Sequence, residues 1–157
     1  MGQKITISVI GGHDPDESAK ELAYSVGQMV AKLGAVLVCG GLAGVMEEAA
    51  RGAKEAGGTT VGLLPGKDKR DANPYIDIAL PTSIGYARNS MVACSADMVI
   101  ALPGSYGTMS EICYALVFGR PVIDLGKWDI KGMVKVKNLK HAETVIATYL
   151  RNKRISR

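Results

Sequence analysis

Residues 96–111, Ala-Asp-Met-Val-Ile-Ala-Leu-Pro-Gly-Ser-Tyr-Gly-Thr-Met-Ser-Glu, limit the folds open to this chain more than any other stretch. Residues 98–102 are wholly apolar, the pattern of a strand covered on both faces, as in a parallel sheet. Pro103 ends that strand. Gly104 and Gly107 then let the backbone turn tightly and approach a ligand without a Cβ in the way. Thr108 is a suitable N-cap for the amphipathic segment that follows. A helix that starts at a strand's carboxyl end aims free N–H groups and a positive dipole end outward. That is an anion site, to which Ser105, Tyr106 and Thr108 can add hydroxyl donors.

The same strand-loop-helix unit recurs along the chain. Residues 4–10, Lys-Ile-Thr-Ile-Ser-Val-Ile, form the first expected strand and run into Gly11-Gly12-His13. Ser18 and Glu21 have capping-box spacing, and Leu22, Val26, Met29, Val30 and Leu33 keep helical periodicity up to the stop at Gly34. A second strand at 35–39 leads into Gly40-Gly41-Leu42-Ala43-Gly44-Val45-Met46 and an alanine-rich helix to residue 56. A third strand spans 59–64. Residues 65–77 have loop composition and no periodicity, so a long mobile connection bordering a site is expected. Lys67, Lys69 and Arg70 in it are candidates to close over a phosphate, although a solvated loop explains them better. A short strand at 78–80, a helix over 84–94 carrying Arg88 and Asn89, strands at 120–125 and 133–136, and a closing helix at 141–150 complete the pattern.

Alternating strands and helices imply right-handed crossovers and a mostly parallel central sheet with helices on both faces, a Rossmann-like α/β three-layer sandwich in one domain. Ligands in such folds bind beyond the strands' carboxyl ends, where Gly11-Gly12, Gly40-Gly41 and the 104–108 loop should gather. The first turn lacks Gly-x-Gly-x-x-Gly, and no Gly-x-x-x-x-Gly-Lys-[Ser/Thr] occurs, so a dinucleotide site and a P-loop are disfavoured while a monophosphate fits.

Composition excludes further classes. No window approaches the roughly 18 apolar residues of a membrane span, and the N-terminus lacks a signal-peptide layout, so a cytoplasmic protein is expected. Cys39, Cys94 and Cys113 are odd in number and lie in apolar runs, which suggests reduced core residues rather than a disulfide or a metal site. His13 and His141 read as unrelated surface residues. The net charge of +4 is uneven: residues 135–157 hold seven Lys/Arg and one acid, while residues 1–134 hold twelve and fourteen. A basic tail at about 151–157 without stacking aromatics does not argue for nucleic acid.

Together, Gly40-Gly41-Leu-Ala-Gly44-Val-Met46, Arg88 and Pro103-Gly104-Ser105-Tyr106-Gly107-Thr108-Met109-Ser110-Glu111 resemble the Lonely Guy superfamily, often labelled lysine decarboxylases. Within it the chain looks most like the branch holding molybdenum cofactor carrier proteins. The resemblance implies a homodimer or larger homo-oligomer, for which Ile84, Met91, Val92 and Met98 offer apolar surface, although the sequence is equally consistent with these residues being internal core. It implies Arg88 and Glu111 as the pair that hydrolyses a nucleoside 5′-monophosphate to base and ribose 5-phosphate, with no cofactor required. The carrier branch implies instead a molybdenum cofactor held as cargo. Three departures lean toward binding: Asn89 follows the arginine where the cytokinin-activating enzymes have lysine, Ser105 replaces a glycine, and Ser110 replaces an acid before Glu111. Pyridoxal-dependent decarboxylation needs a Schiff-base lysine, which these motifs lack. Glu111 also has a structural reading, since Thr108-Met109-Ser110-Glu111 has capping-box spacing.

Overall fold

The computed structural model describes residues 2–155. Strands β1 (Thr6–Ile10), β2 (Val36–Cys39), β3 (Thr60–Leu64), β4 (Ile78–Pro81), β5 (Met98–Ala101), β6 (Val122–Asp124) and β7 (Val134–Lys135) form one sheet. All of its pairings are parallel, in the order β4-β3-β2-β1-β5-β6-β7. The helices are α1 (Glu17–Lys32), α2 (Val45–Glu55), α3 (Arg88–Cys94), α4 (Tyr106–Val117) and α5 (Leu139–Ile155), with 3₁₀ turns at Lys69–Asp71 and Gly85–Ala87. The expected Rossmann-like α/β architecture is thus the observed one. No helix among the described residues is long and apolar enough to cross a membrane.

Period-two alternation splits the strand side chains between two cores, which is why both faces of the central strands are apolar. Ile7, Val9, Met98 and Ile100 pack under α1, α2 and α5, among Val26, Val30, Ala49 and Ile146. Ile10, Val38, Val99 and Ala101 pack under α3 and α4, against Val92, Ala93, Ile112 and Ala115. Ser8 also faces this second layer and settles its hydroxyl by donating to the Val92 carbonyl at 2.5 Å. The strand order reverses between β1 and β5, so the crevice of this sheet opens at their carboxyl ends.

Several local expectations are corrected. The α1 N-cap is Asp16, not Ser18: Asp16 has extended backbone and its Oδ1 accepts from the Ala19 N–H at 2.8 Å. Ser18 already lies inside the helix, so the spacing with Glu21 caps nothing. Helix α4 starts at Tyr106 with Ser105 as N-cap, three residues before the N-cap expected at Thr108, because Met109 N–H already reaches the Ser105 carbonyl at 3.0 Å. The 84–94 segment divides into a 3₁₀ turn and α3. Helix α5 takes in residues 151–155 of the expected basic tail, and Lys153 there pairs with Asp97; residues 156–157 lie outside the described residues. Val92 and Met98 are core residues, while Ile84 and Met91 are exposed. Of the three cysteines only Cys39 is fully buried, and Cys113 is exposed on α4.

Candidate ligand-binding site

Loops from three adjacent strands interlock above the switch point. Gly12 N–H donates to the Pro103 carbonyl at 2.8 Å, and Val45 N–H donates to the Gly12 carbonyl at 3.0 Å. That closeness demands glycine: a Cβ on Gly44, whose φ is +73°, would sit 2.4 Å from the His13 carbonyl oxygen, and one on Gly104 would sit 2.2 Å from Thr108 Oγ1. Gly104 and Gly107 do not have positive φ, so the tight-turn role expected of them is replaced by close approach at Gly104 and an ordinary helical residue at Gly107.

A cavity of about 400 Å³ lies between these loops, α3 and α4. Gly11 and Gly12 line it from β1, Gly40 and Met46 from the β2–α2 connection, and Arg88 and Asn89 from α3. Ser105, Gly107, Thr108 and Glu111 line it from α4 and the residue before it. Its α4 side carries first-turn N–H groups that have no intrahelical acceptor. The remaining candidates stand behind or beside the cavity. Gly41 and Gly44 shape the turn into α2; Pro103 and Gly104 line an adjoining cavity with Asp14 and Asp16; Tyr106 is exposed. Sequence reasoning passed over His13, Leu42 and Tyr86, which also line the main cavity. The place of His13 directly after the Gly11-Gly12 pair was a usable signal for it; Leu42 and Tyr86 gave none.

Arg88 opens α3 and is only 6% exposed. Its Nε donates to the Leu63 carbonyl at 2.7 Å, Nη2 to the Gly40 carbonyl at 3.3 Å, and Nη1 to Asn89 Oδ1. Asn89 Nδ2 in turn donates to Ser110 Oγ at 3.3 Å, whose hydroxyl donates to the Gly107 carbonyl at 2.6 Å. Two of the departures from the Lonely Guy pattern, Asn89 and Ser110, therefore touch, and they tie the arginine to the first turn of α4. Burial lowers the Arg88 pKa, with Glu111 opposing, yet a guanidinium stays charged at neutral pH.

Glu111 is 8% exposed. It caps nothing: α4 begins five residues earlier, and among the described residues no hydrogen bond or ion pair reaches its carboxyl group. Burial pushes its pKa up to about 8, against the pull of Arg88. Beneath the cavity floor, burial likewise pushes Cys39 up to about 12, so this thiol is no nucleophile at neutral pH.

The 65–77 loop does not close over the cavity. Asn73 fixes it to the β2–α2 turn, its N–H donating to the Gly41 carbonyl at 2.9 Å and its Nδ2 to the Leu42 carbonyl at 2.8 Å. Arg70 is engaged with Asp68 in the same loop, and Lys67 and Lys69 are exposed. Among the described residues no cluster of His, Cys, Asp and Glu could hold a metal ion.

The seat of Arg88 depends on Gly40. A Cβ there would lie 2.6 Å from Met46 Sδ and 2.7 Å from Arg88 Nη2. The thioether can move aside, but the guanidinium is held by three acceptors. Gly40→Ala is expected to lower stability by about 1–3 kcal/mol, read as a shift in the urea midpoint at unchanged m.

Known proteins share this fold. The molybdenum cofactor binding protein of Rippkaea orientalis superposes with a TM-score of 0.87 at 34% identity, covering 94% of this chain and 98% of that one. The molybdenum cofactor carrier protein of Chlamydomonas reinhardtii gives 0.86 at 32%, covering 95% and 99%. An Archaeoglobus fulgidus protein of unassigned role is 46% identical over 119 residues, 76% of this chain and 78% of that one. A cytokinin riboside 5′-monophosphate phosphoribohydrolase of Mycobacterium tuberculosis is 31% identical over 117 residues, 69% of this chain and 63% of that protein. These likenesses bear out the Rossmann-like branch that joins Lonely Guy proteins and molybdenum cofactor carriers, and the match over residues 4–154 completes the assignment: the chain belongs to the SLOG cluster4 family.

Proposed function

We propose that this protein binds a small phosphorylated, nucleotide-like ligand at the β1/β5 crevice and holds it without cleaving it, with molybdenum cofactor as the leading cargo. The observation that carries this reading is the state of the Arg88/Glu111 pair. Hydrolysis of an N-glycosidic bond builds positive charge on the sugar and calls for an ionised carboxylate beside it. Glu111, buried and without a hydrogen-bond partner, is mostly neutral at pH 7. The first turn of α4 and the buried guanidinium still make a site for a phosphate monoester. The likeness to cofactor-binding proteins over almost their whole length supports the same reading.

The second reading, a nucleoside 5′-monophosphate phosphoribohydrolase, is supported by Arg88 and Glu111 sharing one cavity and by the mycobacterial relative. Incubation with a panel of nucleoside 5′-monophosphates, with Glu111→Gln beside the native chain, separates the two. The carrier reading expects no base release from any of them, and molybdenum co-eluting with the native protein after exposure to released cofactor. Base release that vanishes in the variant would establish the hydrolase instead.

The reading includes a homo-oligomer in the cytoplasm, where free thiols persist. The only charged residues of α3 and α4 are Arg88 and Glu111, both buried, so the outer face of these helices carries no charge to oppose a second copy. It shows Met91, Met109, Tyr114 and Val117, flanked by Tyr86 and Phe118. Sedimentation velocity is expected to give at least a dimer.

A further inference from the structure

The cavity holds one buried cation and one buried acid that do not satisfy each other. Three of the five guanidinium N–H groups of Arg88 go to neutral oxygens, on Leu63, Gly40 and Asn89. Glu111 lines the same space, nine-tenths buried, and accepts no hydrogen bond. An ionised carboxylate so placed gains no hydrogen bond from the described residues and only the limited hydration the cavity allows, a state that burial disfavours. A protonated carboxyl group avoids that cost and offers an O–H donor to whatever enters the cavity. That donor, the spare N–H groups of Arg88 and the first-turn N–H groups of α4 all border the cavity.

Resting on the anion-binding reading above, we infer that Glu111 carries its proton into the complex and donates it as a hydrogen bond to an oxygen of the bound oxyanion. The ligand class is accordingly a tetrahedral oxyanion or its monoester, rich in lone pairs and poor in donors. A carboxylate at Glu111 would repel such a ligand, whereas a carboxylic acid attracts it. The proton belongs to the binding site, and affinity depends on its presence.

The pH dependence follows from the groups around the cavity. Arg88 on α3 stays charged, and Cys39 on β2 is protonated up to about pH 12. His13 from the β1–α1 connection and Tyr86 from the 3₁₀ turn are the other titratable side chains lining it, and Asp14 and Asp16 border the adjoining space. The window from about pH 7 to about pH 9 brackets the value near 8 to which burial pushes Glu111. Within it Glu111 passes from mostly protonated to mostly ionised.

The test uses sulfate, whose charge is constant across this window, in calorimetric titrations of the full chain at fixed ionic strength. Affinity for the native protein is expected to fall about tenfold between pH 7 and pH 9, with close to one proton taken up per sulfate bound at pH 9 and close to none at pH 7. Glu111→Gln, which keeps a neutral donor at the same place, is expected to bind sulfate with no such fall and no proton uptake. Sulfate affinity that is flat or rises with pH in the native chain, or binding lost in Glu111→Gln, overturns the inference and leaves the anion site standing. No saturable sulfate binding at any pH overturns the anion site itself, and the inference with it.

Discussion

Glu111→Gln is expected to stabilise the folded protein by about 3 kcal/mol at pH 7, as read from urea unfolding. The native carboxyl group is raised from an ordinary value of 4.5 to about 8 by burial. Between those two values the folded chain binds more protons than the unfolded one, so stability falls as pH rises. Below about pH 4.5 the group is neutral in both states and costs little; above about pH 8 the full penalty is present. An amide of the same shape has no such penalty, so the variant should lack the downward slope across this window and match the native protein in acid. The other shifted carboxyl groups, those of Asp68, Asp77 and Asp97, all lie below their ordinary values and leave the comparison intact. Burial raises the pKa of Asp77 and Asp97, but the Lys54 and Lys153 ion pairs and the Thr60 and Thr6 N–H groups more than offset it. Their contribution is therefore lost only as pH falls through their depressed values, well below the Glu111 window. Equal stability of variant and native protein at pH 7 would mean that Glu111 is an ordinary ionised carboxylate, and the case against hydrolysis would fall with it.

Gly27→Ala is expected to destabilise by about 3 kcal/mol, even though alanine is the better helix former by about 1 kcal/mol. Helices α1 and α2 cross with their backbones in contact: a Cβ on Gly27 would lie 2.0 Å from the Ala49 carbonyl oxygen, and one on Gly52 would lie 2.0 Å from that of Tyr24. These oxygens belong to helix backbone and cannot swing aside as a side-chain end would, so the two helices must separate and loosen Ala23, Val26 and Ala49 from the core between them and the sheet. Gly107→Ala is the control within α4, since its Cβ would meet only Asn89 Nδ2, at 3.7 Å. It should change stability by no more than about 1 kcal/mol, in the stabilising direction. If both variants behave alike, the tight α1–α2 crossing is not what glycine serves at position 27.

The unequal legibility of these features has a physical pattern. Strands β1, β2, β3 and β5 could be placed within a residue or two because an apolar run ended by glycine or proline has one economical conformation. Helix starts were less legible. Asp16 and Ser18 are both good caps, and only the path of the chain out of Gly12 gives Asp16 the extended backbone a cap requires. Gly104 was recognisable as necessary but for another reason than the true one, since the space denied to a Cβ there is taken by Thr108 and Gly12. The exposure of Cys113 and the burial of Met98 depend on which side of an element a neighbouring layer covers.

The local pattern of residues by itself determined the alternation of strands and helices, the parallel sheet with both faces covered, and the gathering of three glycine loops at one edge with Arg88 and Glu111 among the chemistry-bearing residues. Each of those follows from interactions within a few residues, chiefly side-chain period and backbone freedom. Tertiary structure alone decided that Arg88 spends its donors on Leu63, Gly40 and Asn89, that Asn89 meets Ser110, and that Glu111 stands in the cavity wall with a raised pKa instead of capping α4. The charge state of a buried group sums desolvation and fields from segments far apart in the chain, here β2, α3 and α4, and no spacing along the sequence encodes that sum.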